Sequence, residues 1–228
     1  DQLLEHDSLT LAPGAGVDDS TGLCAEYKGF DRGSERIVTH VFLPEPGLEF
    51  SLNYDVRFGE DFQFVKGGKL LGLGPKKHVA GGRPVVPGGW SARVTFKEGG
   101  AARLYTYHQD QPGQYGDRLP LEKPFYFKQG QYYAVSLHVR VNEPADAANG
   151  FSRLYVDGNL VDSHEGLRFR GEDSDASLIN KFMFSSFHGG HRPEWAPRDA
   201  DGNFTTVHAI FDNISVHEGE RVRPAPGR

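Results

Sequence analysis

The strongest constraint in this sequence is an alternation of apolar and polar residues with a period of two, repeated from about residue 36 to residue 217. In Gln131–Asn142, every second residue from Tyr133 onward is Tyr, Val or Leu, while Ser, His and Arg lie between them. Such alternation places one face of a strand in the core and the other toward water. No stretch of a dozen residues has the period and caps of a helix. The sequence therefore predicts an all-β protein with few, short helices.

Gly, Pro, Asn and Asp bound the alternating segments and divide them into strands. The predicted strands are Arg36–Leu43, Glu49–Phe58, Trp90–Phe96, Ala101–Gln109, Gln131–Asn142, Ser152–Val156, Asn180–Phe187 and Val207–His217. Asp157-Gly158 has the composition of a tight hairpin turn that leads into Leu160 and Val161. Roughly ten strands in this length predict a β-jelly-roll sandwich of two antiparallel sheets, of the concanavalin or laminin-G type, with a substrate groove on one sheet.

The chain length of 228 residues fits a single domain. We expect residues 1–228 to form this domain, with residues 1–30 as an N-terminal segment and residues 220–228 as a loose tail. An aromatic content of 12% argues against disorder, and no apolar run approaches the ~20 residues of a membrane span. We therefore expect a monomer without a membrane partner.

The charge and the cysteine content limit the partners and cofactors. A net charge of −6 argues against nucleic acid as a partner, although a local basic groove can still bind a polyanion. The single Cys24 cannot form an intramolecular disulfide. His188 and His191 form an H-x-x-H pair, but no third ligand follows at a fixed spacing. We expect no metal site and no required cofactor, with a structural calcium ion as an open alternative.

Two strands carry polar residues on the face opposite an apolar set. Ser91 and Arg93 alternate with the apolar series that begins at Trp90, and Tyr105 and Tyr107 share one face of a later strand. If these strands pair, an arginine, a serine and two tyrosines meet on one face. Two tyrosines placed opposite a core set need a reason to be exposed, so the sequence predicts an anion site here.

Further residues extend the same face. Lys69 follows the Gly67-Gly68 turn and joins the cationic cluster. The predicted substrate-binding residues are His40, Gln109, Lys181, Ser185 and His188. For each of these, the alternative is an ordinary surface residue, in which the charges are solvated and the tyrosines only cover the sheet.

A cationic groove with tyrosines suits β-elimination on a uronic-acid polymer. That reaction needs a cation to neutralise the C5 carboxylate, a base to remove the C5 proton and an acid to protonate the departing O4. Hydrolysis instead needs two carboxylic residues that face the sugar, and the groove strands supply none. A non-catalytic, lectin-like carbohydrate-binding module is the alternative. The segment Arg153–Leu160 is typical of laminin-G-like jelly rolls, but it reports the fold and not the activity.

Several motifs together resemble polysaccharide lyase family 14. They are F-V-K-G-G-K-L, G-G-W-S-A-R, Y-T-Y and the segments Asn180–His191 and Phe211–Gly219. The resemblance spans about residues 36 to 219 and implies an alginate or glucuronan lyase built on a jelly roll. The family's functional residues would fall on Lys69, Ser91, Arg93, Tyr105 and Tyr107.

The chemistry and the resemblance together give each of these residues a hypothetical role. Arg93, with Lys69, would neutralise the carboxylate, because a guanidinium binds carboxylates in a bidentate way. Tyr105 or Tyr107 would serve as base and acid, with Lys69 as the alternative base. Ser91 would orient Lys69 or a substrate oxygen.

The predicted loops leave the choice of polymer open. Gly74–Pro87 and His188–Pro197 are expected to wall the cleft, as functional loops commonly do. Alginate, with polymannuronate favoured, and glucuronan are the expected substrates, and another polyuronate is not excluded. Because such a substrate is a polymer, we expect a secreted or periplasmic protein.

Overall fold

The structure, a computed structural model, describes residues 2–117 and 119–227. Its strands are β1 Leu9–Ala12, β2 Gly22–Phe30, β3 Gly33–Ser34, β4 Ile37–Gly47, β5 Glu49–Phe58, β6 Gly67–Gly74, β7 Ser91–Lys97, β8 Ala102–Tyr107, β9 Tyr132–Arg140, β10 Gly150–Val156, β11 Asn159–Leu167, β12 Ile179–His188 and β13 Thr206–Glu218. Short 3-10 turns occupy Gln2–Glu5, Val17–Asp19, Glu98–Gly100, Asp175–Ser177 and Pro193–Trp195. Within the described ranges no helix has the length and apolar character needed to cross a membrane. The predicted all-β class is confirmed.

The strands form two antiparallel sheets. The larger sheet has the order β1-β2-β13-β5-β9-β10-β11, with β3 added beside β2. The smaller sheet has the order β4-β12-β6-β7-β8. Sequence neighbours such as β4 and β5 lie in different sheets, so the chain crosses repeatedly from one layer to the other. The predicted jelly-roll sandwich is therefore confirmed.

Aromatic side chains fill the space between the two sheets. Phe211 of β13 lies 5.1 Å from Phe184 of β12, measured between ring centroids, and Phe58 of β5 lies 5.8 Å from Phe96 of β7. All four side chains are fully buried. Burying one such side chain contributes about 1.5–3 kcal/mol. This core holds the smaller sheet rigidly, so that its outer face can carry a site.

The N-terminal segment contains strands that the alternation did not predict. β2 lies inside the larger sheet, between β1 and β13. Its Tyr27 is fully buried, and the Tyr27 hydroxyl lies 2.6 Å from the Ser186 hydroxyl of the opposite sheet. The alternation of Leu23, Ala25 and Tyr27 is short and weakened by the small alanine. The described part of the N-terminal segment therefore contributes strands to the sandwich.

The beginning of the C-terminal tail is bound to the larger sheet, and the prediction of a loose tail is wrong as far as Arg223. The Arg221 and Arg223 backbone N–H groups donate to the hydroxyls of Ser51 and Ser136, at 2.8 and 3.1 Å. Arg223 Nη2 also donates to Asp55 at 2.8 Å. Asp55 is fully buried, and a buried carboxylate needs charged or polar partners. These hydrogen bonds and the ion pair with Asp55 therefore attach the tail to the larger sheet.

We expect Arg223→Met to lower the free energy of unfolding by about 1–3 kcal/mol, because Asp55 loses its charged partner. Thermal unfolding should show a lower Tm, with about 2–4 °C for each kcal/mol in a chain of this size. Arg221→Met is the matched control, since the Arg221 side chain bonds only the half-buried His217 ring among its described contacts. Equal Tm values for the two variants would contradict this account of the tail.

Candidate active site

The outer face of the smaller sheet carries a transverse row of residues, one from each strand. The pairing register aligns His40 of β4, Met183 of β12, Gly72 of β6, Arg93 of β7 and Tyr105 of β8. Their sequence neighbours pack into the core, so the side chains in the row point away from it. The strands that carry Arg93 and Tyr105 pair in the structure, which meets the condition on which the predicted anion site depended.

The loop of residues 75–90, between β6 and β7, forms a wall along one side of this row. Val79 packs on Tyr105 and Tyr107 in a small apolar cluster outside the main core. The Gly82 N–H donates to the Tyr107 hydroxyl at 2.9 Å, and the Ser91 hydroxyl donates to Val79 O at 2.7 Å. Ser91 is fully buried and holds the wall, so its expected contact with Lys69 or substrate is replaced by a contact with the loop.

Arg93 is a cation that is almost completely removed from water, with 5% of its surface exposed. Glycine at position 72 makes room for it, because a Cβ atom there would lie 2.5 Å from Arg93 Cγ. Arg93 Nη1 lies 3.5 Å from the Ser185 hydroxyl, and Nε and Nη2 have no partner among the described residues. Burial lowers the pKa of the guanidinium, and the nearby tyrosine hydroxyls oppose this effect. The side chain stays charged and keeps donors available for a carboxylate.

Lys69, Tyr105 and Tyr107 form a continuous chain of contacts beside Arg93. Lys69 Nζ lies 4.1 Å from the centroid of the Tyr105 ring, which is a cation–π contact. The Tyr105 and Tyr107 hydroxyls are 3.3 Å apart, and either can be the donor. The Tyr107 hydroxyl also accepts a hydrogen bond from the Gly82 N–H. The hydrogen bond between the two tyrosines is therefore one end of a fixed network. Proton transfer groups and cations thus meet in one place.

The β12 and β4 side of the row holds a second cation. Lys181 is 4% exposed, and its Nζ donates to Lys76 O at 3.1 Å. Next to it, the rings of His40 and His78 meet edge to face, with centroids 4.9 Å apart. His78 lies in the loop Gly74–Pro87, which the sequence predicted only as a wall of the cleft. Alternation cannot locate a loop side chain, although the run of Lys76, Lys77 and His78 is a signal of positive charge.

Two predicted substrate-binding residues lie elsewhere. His188 faces the core, where its ring stacks on Phe62 at 5.2 Å and its Nε2 lies 2.6 Å from Gln63 O. It has the same parity as Phe182 and Phe184, so alternation already indicated an inward position. Gln109 donates to the carbonyls of Val86, Gly89 and Phe169 and so holds the wall in place. The prediction of substrate contact is wrong for the buried His188, whereas for Gln109, which lines a cavity beside the wall, it stays a prediction.

The site is built from cations, tyrosines and histidines. None of the residues placed in the row, the wall or the contact chain carries a carboxylate. In the described part of the chain, no group of three or more His, Cys, Asp or Glu residues has an arrangement that could hold a metal ion. The arrangement can bind an anion at Arg93 and Lys181 and can move a proton through the tyrosines.

Comparison with solved structures places the fold among polysaccharide-degrading enzymes. The alginate lyase Aly36B, solved as a mutant in complex with alginate tetrasaccharide, matches with a TM-score of 0.74 and 23% identity over 89% of this chain and 82% of that one. The alginate lyase from Aplysia kurodai matches with a TM-score of 0.71 and 20% identity, over 93% and 87% of the two chains. The endo-β-1,4-glucuronan lyase from Trichoderma reesei matches with a TM-score of 0.63 and 15% identity, over 98% and 92%. At these identities the likeness establishes the shared fold.

A family model establishes more than the fold. No curated protein matches the chain. The model of polysaccharide lyase 14, however, matches residues 38–213, which include the row, the wall and both tyrosines. This match confirms the resemblance noted in the sequence. The chain belongs to the polysaccharide lyase 14 family and is a polysaccharide lyase.

Proposed function

We propose that this lyase cleaves a polyuronate by β-elimination, with alginate, above all its polymannuronate, or glucuronan as substrate. The observation that carries the proposal is Arg93, a desolvated guanidinium placed beside two hydrogen-bonded tyrosines. Two of its nitrogens, Nε and Nη2, have no partner among the described residues. A carboxylate on the substrate supplies the missing partner. The solved alginate and glucuronan lyases with this fold support the choice of polymer class.

In the proposed reaction, Arg93 binds the C5 carboxylate of the sugar. Its positive charge stabilises the carbanion-like transition state that develops when the C5 proton leaves. A base takes this proton, the C5–H electrons form the C4–C5 double bond, and the C4–O4 bond breaks. An acid then protonates O4, so that one new chain end is unsaturated and the other carries a hydroxyl.

Two assignments of the base follow from the contacts. In the first, a tyrosine of the Tyr105–Tyr107 pair takes the C5 proton and returns one to O4. Lys69 then holds Tyr105 through its cation–π contact and adds positive charge. In the second, Lys69 is itself the base and the tyrosines supply the proton to O4. Both use the same three side chains.

The alternatives are less well supported. Glycoside hydrolysis needs a pair of carboxylic residues around the sugar, and the residues assigned to this site include none. Burying an unpaired guanidinium costs free energy. A carbohydrate-binding module does not need such a group, because it binds sugars on exposed aromatic side chains. The chemistry of the site therefore favours elimination.

We further propose a monomeric, secreted or periplasmic enzyme, because its polymeric substrate lies outside the cytoplasm. The elimination as written uses only side chains of this protein and needs no cofactor. A structural calcium ion stays an open addition to this scheme.

We expect the wild-type enzyme to generate ultraviolet absorbance of the C4–C5 unsaturated uronate with one polymer of a panel. The panel contains polymannuronate, polyguluronate, glucuronan and a neutral glucan. Lys69→Ala and Arg93→Lys should each lower the initial rate at least about 100-fold, because each removes a group that stabilises the transition state. Lys66→Ala is the charge-matched control, since exposed Lys66 pairs with Glu98 outside the row. If both site variants keep wild-type rates while product forms, the assignment is wrong.

Tyr105→Phe and Tyr107→Phe keep the rings but remove the hydroxyls, and we expect kcat to fall about 10²–10⁴-fold in the variant that loses the proton-transfer group. Tyr133→Phe is the matched control, because this buried tyrosine of the larger sheet also accepts a backbone N–H, that of Lys128 at 3.0 Å. Steady-state kinetics and Tm are measured for all three variants. Loss of activity in Tyr133→Phe equal to that in the site variants would mean that stability, and not proton transfer, explains the result.

A second readout separates the two candidate bases. If Lys69 is the base, small primary amines added to Lys69→Ala should restore part of kcat. If a tyrosine is the base, the amines should leave kcat unchanged.

A further inference from the structure

We propose that Lys181, His40 and His78 form a second subsite, next to Arg93, in which Lys181 binds the carboxylate of a neighbouring uronate and the two imidazoles bind its hydroxyls. This inference rests on the proposed function and deepens it. It assigns the β4–β12 side of the row to recognition of a second charged sugar. The enzyme would then select polymers in which uronates follow one another directly.

Lys181 has the properties of an anion-binding group. It is nearly buried, and its three N–H donors have one described acceptor, the carbonyl of Lys76. None of the described ion pairs includes Lys181 or Arg93, although seven other described arginines form one. Two buried cations on one sheet face repel each other. A substrate with two carboxylates relieves this repulsion at both positions.

The two histidines lie on the Lys181 side of the row, in the electrostatic field of both cations, and are suited to bind hydroxyl groups. Burial, together with the charges of Lys181 and Arg93, lowers the pKa of His40 and lowers that of His78 to about 3. Both rings are therefore neutral at neutral pH. A neutral imidazole presents one donor and one acceptor, which matches a sugar hydroxyl.

The other charged groups around the pair are consistent with this state. Arg83, from the wall, adds to the positive field at His78. On the outer edge of β4, His40 shares a cavity with Glu5 and His6 of the N-terminal turn. The pKa of His40 is lowered although the Glu5 carboxylate lines this cavity.

The sheet geometry places the two cations on one face, at a separation that a single polymer chain can span. Arg93 on β7 and Lys181 on β12 lie on either side of β6. Their backbones are two strand spacings apart across the sheet and, because Lys181 precedes the row residue Met183 by two positions, two residues apart along the strands. Together these offsets give about 12 Å. Each side chain carries its charge on a stem of methylene groups, long enough to reach toward a sugar between the two strands.

The test counts the carboxylates that the enzyme needs. The polyuronate that the wild type cleaves best is compared with the same polymer after half of its carboxylates, at random, are reduced to hydroxymethyl groups. If two adjacent carboxylates are required, kcat/KM of the wild type should fall about fourfold, against about twofold for one. On the intact polymer, the kcat/KM of Lys181→Met should be about tenfold below that of the wild type. On the half-reduced polymer, the kcat/KM of this variant should fall only about twofold further.

Three further variants separate charge from structure. Lys181→Arg keeps the charge and should restore the fourfold fall. Lys128→Met removes an exposed lysine elsewhere and should behave as the wild type. His78→Gln should raise KM several-fold and keep the fourfold fall, because its ring binds hydroxyls and not the carboxylate.

The possible failures are distinguishable. A fourfold fall in Lys181→Met overturns the second subsite and leaves the proposed function intact. A twofold fall in His78→Gln overturns the role of the neutral imidazole. If the wild type makes no unsaturated product from any polyuronate, the proposed function fails. Calorimetric binding of the intact and half-reduced polymers to wild type and Lys181→Met then decides the subsite separately.

Discussion

The burial of the charged Arg93 guanidinium away from water is the main constraint on this structure. Holding a guanidinium at 5% exposure is costly unless other groups compensate it. At Arg93 the compensation is incomplete among the described residues, with one long contact to Ser185 and two nitrogens that have no partner. In the proposed function, the carboxylate of the substrate supplies the remaining stabilisation. The atoms that make the folded protein less stable are then the atoms that bind the substrate and stabilise the transition state.

Such an arrangement needs a rigid support, which the sandwich provides. The floor of the site is a sheet whose inner face is packed against buried aromatic side chains of the other sheet. Each residue of the row is placed by strand register, and a shift of one residue would turn all of them into the core. Gly72 shows how closely the floor is fitted, since a larger residue would collide with Arg93. Sites on packed strands keep their geometry better than sites on loops alone.

Much of this floor was predictable from the sequence, because the alternation of apolar and polar residues along a strand indicates which side chains point to the same face. It predicted that Ser91 and Arg93 share a face and that Tyr105 and Tyr107 share another, but the pairing of the two strands was only a condition. The same rule places His188 inward with Phe182 and Phe184, in contrast to its proposed role at the rim. What the period cannot describe is a loop. The folding of residues 75–90 over the tyrosines, the burial of Ser91 and the position of His78 depend on contacts distant in sequence. The attachment of the C-terminal tail likewise follows from the buried Asp55, which no local pattern reveals.

The hydrogen bond from Gly82 to the Tyr107 hydroxyl has a consequence for changes in the loop. The wall beside the row is the same segment that orients a tyrosine of the pair proposed to transfer the proton. In the proposed mechanism, a change in the loop that admits a different sugar therefore also moves a hydroxyl that the reaction uses. A loop variant that keeps the reaction has to keep the Gly82 N–H in place, which limits the length and turn of this segment.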